Sequence, residues 1–129
     1  MHRNHDSLGD FKKYREIMNR KILASGNLQI DRFFNLDTRA YQEGALSSKV
    51  KELLGLVASL VLRCDDCVTY HVLRCVEEDV SDAEFFEAFN VSLVAGGSIT
   101  IPHLRRAVQR LEECRKLSKR QPSRRRHRK

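Results

Sequence analysis

Glycine and proline are scarce in this chain, with six and two among 129 residues, and tryptophan is absent. Such a composition excludes a collagen-like or low-complexity polypeptide. No Asn-Gly or Asp-Gly hairpin dipeptide occurs, and no stretch reads convincingly as a strand. No apolar run approaches the roughly 20 residues needed to cross a bilayer, so no membrane segment is expected. The opening Met1-His2-Arg3-Asn4-His5-Asp6 leads into a charged amphipathic stretch, so no secretory signal is expected and a cytoplasmic location is. Acids are missing from Lys116 to Lys129, which hold eight basic residues. The formal charge of +7 therefore belongs to one end, because the remainder carries 16 basic against 17 acidic residues.

What is present is helical in pattern: 41% of residues are hydrophobic and 32% charged. The length predicts one domain, taken as residues 1–115, followed by a basic tail, 116–129, expected to be disordered. Leu8, Phe11, Tyr14, Met18 and Ile22 recur at helical spacing after a cap at Asp6 or Ser7, and Gly26 marks a stop. Residues 28–43 are ambiguous and suggest one or two short helical turns. Ser47 opens a helix to about Arg63 whose segment Leu53–Leu62 is apolar on every face. It predicts a central helix buried all round, and in so small a chain a subunit interface. A further helix is expected over about Asp65–Glu78. Ser81-Asp82-Ala83-Glu84 is a capping box opening a helix with Phe85, Phe86 and Phe89 as core, broken at Gly96-Gly97. Pro102 fits the first turn of the last helix. The fold class is all-α, with about six helices and an expected tendency to oligomerise.

The chemistry concentrates in Cys64-Asp65-Asp66-Cys67-Val68-Thr69-Tyr70-His71-Val72-Leu73-Arg74-Cys75. As a zinc site this segment fails on geometry: Cys67 and Cys75 lie about 12 Å apart along a helix axis, whereas zinc needs its donors converging on one point. A site of Cys64, Cys67 and His71 would need a fourth donor from elsewhere. A redox reading asks for less. A C-x2-C pair at a helix start comes within disulfide reach, the helix N-terminus stabilises a thiolate, and His71, one turn beyond Cys67, can exchange its proton. Asp65 and Asp66 oppose thiolate formation. Cys75 and Cys114 read as small buried hydrophobes, and His103 as a surface or core histidine.

Lys49-Val50-Lys51-Glu52-Leu53-Leu54, the apolar helix, Cys64-x-x-Cys67 with His71, Ser81-Asp82-Ala83-Glu84 and Gly96-Gly97 occur in a telling order. Over residues 36–112 the chain resembles the AhpD-like (alkylhydroperoxidase) branch of the carboxymuconolactone decarboxylase family. The resemblance implies an all-helical fold assembled as trimers or hexamers, and a thiol-dependent peroxidase reducing hydroperoxides. It assigns Cys67 as the attacking thiol, Cys64 as its resolving partner, His71 as the proton relay and Glu52 as the base. It implies no resident cofactor or metal, but an external dithiol reductant of lipoyl type. Peroxidase relatives carry a histidine directly before the second cysteine, where this chain has Asp66. Lactone decarboxylation is less favoured, because the family's true decarboxylases lack the cysteine pair.

Helix geometry alone does not bring Glu52 to His71. Twelve residues, about 18 Å of helix, separate Glu52 from Cys64, against about 7 Å from the turn to His71, leaving an offset of about 10 Å in an antiparallel pair. Without the resemblance Glu52 reads as a solvated glutamate of a first helical turn. Two other functions compete: a redox-sensing or ligand-binding helical module, and a sequence-blind nucleic-acid binder whose tail, through Arg124, Arg125 and Arg126, contacts phosphates.

Overall fold

A computed structural model describes residues 7–120. Six α-helices follow in order: α1 Leu8–Ala24, α2 Leu28–Ala40, α3 Ser48–Leu62, α4 Asp65–Glu77, α5 Asp82–Gly96 and α6 Ile101–Arg120. The all-α class stands, with no strand among the described residues. No helix there is long and apolar enough to cross a membrane. The Arg124, Arg125 and Arg126 of the tail lie outside the described residues, while Lys116–Arg120 continue α6.

The chain divides into two compact units between Gln42 and Glu43. In the first, α1 is capped by Ser7, whose side chain accepts from the Asp10 amide, and ends before Gly26 at φ +75°. Residues 28–43, ambiguous in sequence, form one thirteen-residue helix, with Asn27 accepting from the Ile30 amide as its cap. Short turns underestimate this segment because its apolar residues, Ile30, Phe33, Phe34 and Leu36, are interleaved with charge.

The second unit holds the core. Leu56 and Leu60 of α3, Val68, Val72 and Cys75 of α4, Phe85 and Phe89 of α5, and Ala107, Leu111 and Cys114 of α6 are buried together with Val80. Helix α3 packs on α4 and α5, and α4 also packs on α6. The capping box is complete: Ser81 Oγ accepts from the Glu84 amide and Glu84 accepts from the Ser81 amide. Lys49 of α3 pairs with Glu84 at 3.0 Å, joining the starts of α3 and α5. With the Ser81 amide donating to it and Lys49 beside it, the Glu84 carboxyl is held below the usual carboxylate range.

Two core expectations need correction. Helix α3 is not buried all round: Leu54 is 55% and Leu62 76% exposed, with Ala58 exposed between them. These positions, four residues apart, form one stripe opposite the buried Glu52, Leu56 and Ser59 face. Phe86 is half exposed, because α5 turns Phe85 and Phe89 inward and leaves the residue between outside the core.

Candidate functional site

The site begins with how α3 stops. Arg63 sits in the left-handed region at φ 60° and donates its amide to the Leu60 carbonyl, while the Cys64 amide donates to that of Ser59. This is a Schellman closure, and keeping a side chain there costs about 1 kcal/mol relative to glycine. The closure is so tight that Cys64, its last residue, is already the N-cap of α4. Its sulfur accepts from the Cys67 amide at 3.3 Å. The two cysteines, with Cα atoms 5.2 Å apart, are joined as a disulfide. Cys67 is exposed and Cys64 half-buried, so the bond is open to a reactant.

Behind the disulfide lies a buried charge network. Glu52 is 1% and His71 8% exposed, and His71 Nδ1 lies 2.9 Å from Glu52 Oε1. As a carboxylate Glu52 only accepts, so Nδ1 carries the hydrogen and the basic lone pair of the neutral ring is on Nε2. The other carboxylate oxygen, Oε2, lies 3.3 Å from Nε of Arg74. A carboxylate this deep is tolerable only when it has partners; here one oxygen is hydrogen-bonded to His71 and the other is ion-paired with Arg74. Burial works against the Arg74 guanidinium, but bonding to Glu77 and the nearby Glu52 charge outweigh it and hold Arg74 protonated above its usual range. Arg74 also reaches Glu78.

The reading of Glu52 as a solvated first-turn glutamate is therefore corrected. Helix α3 ends at Leu62 and α4 starts at Asp65, so Glu52 is ten residues from its helix end and His71 six into the next. The axial offset shrinks to about 6 Å, and the hydrogen bond forms across the packed α3–α4 pair. The structure thus brings Glu52 to His71, and the α-helix sets His71 one turn beyond Cys67.

Sequence reasoning passed over Arg74, although its place three residues after His71 on one helix face was a usable signal. It also gave no task to His103 and Arg106 of α6. His103 Nδ1 lies 2.7 Å from Asp65 Oδ1, and Arg106 Nη1 lies 3.0 Å from Asp65 Oδ2. Cys75 is fully buried. Burial above all, with the Glu52 charge behind it, pushes its thiol up from 9.0 to about 12. At neutral pH it therefore stays a thiol rather than a nucleophilic thiolate. Among the described residues no group of three His, Cys, Asp or Glu side chains could hold a metal ion.

Known proteins share this architecture. Two crystal structures of a Thermotoga maritima carboxymuconolactone decarboxylase family protein, for which a part in the antioxidative response has been suggested, are 57% and 56% identical to this chain. Each covers 85% of it, with 96% and 93% of their own chains matched and TM-scores of 0.83 and 0.81. A family protein of Legionella pneumophila, 21% identical over 83% of this chain and 96% of its own, superposes with a TM-score of 0.77 and shares the fold. An uncharacterised protein of Cupriavidus necator is 28% identical over 91 residues, 68% of this chain and 80% of its own. The family's sequence pattern matches residues 30–110, from α2 into α6, with Glu52, the cysteine pair and His71 all inside it. On that match the chain belongs to the carboxymuconolactone decarboxylase family.

Proposed function

We propose that the protein is a thiol-dependent peroxidase of the AhpD-like kind, in which His71 takes the proton of Cys67 through Nε2 while Glu52 holds the ring at Nδ1. The Cys67 thiolate attacks the O–O bond of a hydroperoxide, which breaks to give Cys67 sulfenic acid and an alkoxide. His71 returns the proton to that alkoxide, and an alcohol leaves. The Cys64 thiol then attacks the Cys67 sulfur, forming the disulfide and releasing water. An external dithiol supplies two electrons and two protons to reopen it, becoming a disulfide itself. A lipoyl-type carrier has the required chemistry.

The observation that carries this reading is the placement of an accessible Cys64–Cys67 disulfide one helical turn from a buried, hydrogen-bonded Glu52–His71 pair. The suggested antioxidative part of the Thermotoga protein agrees with it. We extend the proposal to a homotrimer or homohexamer in which the Leu54, Ala58 and Leu62 stripe is covered by another copy. Light scattering that returns the mass of a single chain removes that extension.

The test of the reaction is consumption of an organic hydroperoxide in the presence of a dithiol. Turnover is expected in the wild type and falls at least about a hundredfold in Cys67→Ser and Cys64→Ser, because each removes a sulfur that forms the disulfide. Full turnover in both variants contradicts the proposal.

A further inference from the structure

Asp65 stands between the two cysteines, in the first turn of α4, and the reaction above leaves it without a task. A carboxylate there opposes a thiolate on either sulfur. Yet Asp65 is met by two side chains of α6: the imidazole of His103 at one oxygen and the guanidinium of Arg106 at the other, 2.7 and 3.0 Å away. The contacts span 38 and 41 residues, so they are tertiary rather than helix-local. His103 is 19% exposed in its side chain, and Arg106 is 59% exposed, closing the pair from the solvent side. On its own stretch of chain Asp65 is flanked by Arg63 two residues before and the exposed Asp66 after.

The chemical consequence follows from charge. With Asp65 bonded to a cation and an imidazole, the dipole and amides at the start of α4 act on the sulfurs with less opposition. We propose that His103 and Arg106 are positioning residues that clasp Asp65, offset its charge, and so favour the thiolate form of the reduced cysteine pair. The inference rests on the redox reading of Cys64 and Cys67. In reduction, a dithiol thiolate attacks one protein sulfur, breaking the protein disulfide and forming a mixed disulfide. The second dithiol sulfur displaces the remaining protein sulfur. One dithiol is oxidised to a disulfide, and Cys64 and Cys67 gain two electrons and two protons between them. A clasp that favours the protein thiolate makes it a better leaving group and the protein disulfide easier to reduce.

The experiment uses the full chain and needs no peroxide. The reduced protein is alkylated with iodoacetamide across pH, and the oxidised protein is equilibrated with reduced and oxidised dithiothreitol. Cys75 and Cys114 are buried and contribute a slow background. In Arg106→Gln and His103→Gln, half-maximal alkylation is expected to move to higher pH. Alkylation at neutral pH then falls roughly three- to tenfold, as a shift of about half to one unit produces. Half-reduction requires a more reducing dithiothreitol ratio. Asp65→Asn moves both readouts the opposite way, and in the Asp65→Asn background the α6 substitutions have a smaller effect, because no carboxylate holds either side chain beside the cysteine pair. A merely structural clasp predicts that the α6 effects persist undiminished in that background.

Unchanged profiles in the single variants, or shifts that are undiminished in Asp65→Asn, overturn the inference. Arg106→Gln, at the solvent-exposed end, keeps the test readable if His103→Gln does not fold. A wild-type pair that never cycles between dithiol and disulfide overturns the redox reading and the clasp together. Cycling with unmoved variant profiles overturns the clasp alone.

Discussion

Cys75 shows how burial sets one cysteine of this protein apart from the disulfide pair. It lies eight residues after Cys67 on the same helix, but burial, with the neighbouring Glu52 charge behind it, pushes its thiol up to about 12. The linkage has a definite sign. The folded thiol holds its proton more tightly than the unfolded one, whose ordinary value is 9.0, so stability is intact below pH 9 and is lost as pH rises from there towards about 12. Between pH 8.5 and 10.5 the wild type is expected to lose roughly 2 kcal/mol that Cys75→Ala does not, measured by urea denaturation at each pH. Equal losses in both chains contradict the burial of that thiol. The disulfide pair, by contrast, was legible: C-x2-C and a histidine four positions on is a local pattern, and helix periodicity converts it directly into a shared face. Glu52 was legible only through the family resemblance, because its meeting with His71 depends on a closure at Arg63 and Cys64 that no glycine announces. The Asp65–His103 contact was not legible at all, since nothing local marks two residues 38 apart as neighbours.

The helices themselves follow from caps more than from propensity. Ser47 and Ser81 fix the starts of α3 and α5, and both were readable, as were the stop at Gly96-Gly97 and the first turn at Pro102. The stop also has a packing cause. A Cβ at Gly96 would stand 2.5 Å from Thr100 Oγ1 and 3.4 Å from Val61 Cγ2, and Thr100 is a stiff, fully buried β-branched residue. Gly96→Ala is therefore expected to destabilise the second unit by about 1–3 kcal/mol, read as a lower urea midpoint with an unchanged slope. A midpoint equal to that of the wild type contradicts the close approach of α3 and α5 there. Helix α2 was under-read because its apolar residues are too sparse to distinguish one helix from two turns. The stripe on α3 lies open within the single chain: an all-apolar sequence signals burial without saying whether the same chain or another provides it.

At the scale of the molecule, charge and chemistry occupy different places. The excess of basic residues lies beyond Arg115, whereas the site is built from Glu52, Cys64, Asp65, Cys67, His71 and Arg74 on α3 and α4, with His103 and Arg106 reaching it from α6. The family match spans that site and ends at residue 110, before the basic segment begins. On the proposed reaction, a peroxide oxidises Cys64 and Cys67 to one intramolecular disulfide. This step is tested most directly by counting thiols in the reduced chain, denatured after exposure to one equivalent of an organic hydroperoxide. The four cysteine thiols of the sequence are expected to fall to two, with the Cys64–Cys67 link found by peptide mapping and absent in Cys64→Ser. Four thiols remaining, or a loss located at Cys75 and Cys114, contradicts the account.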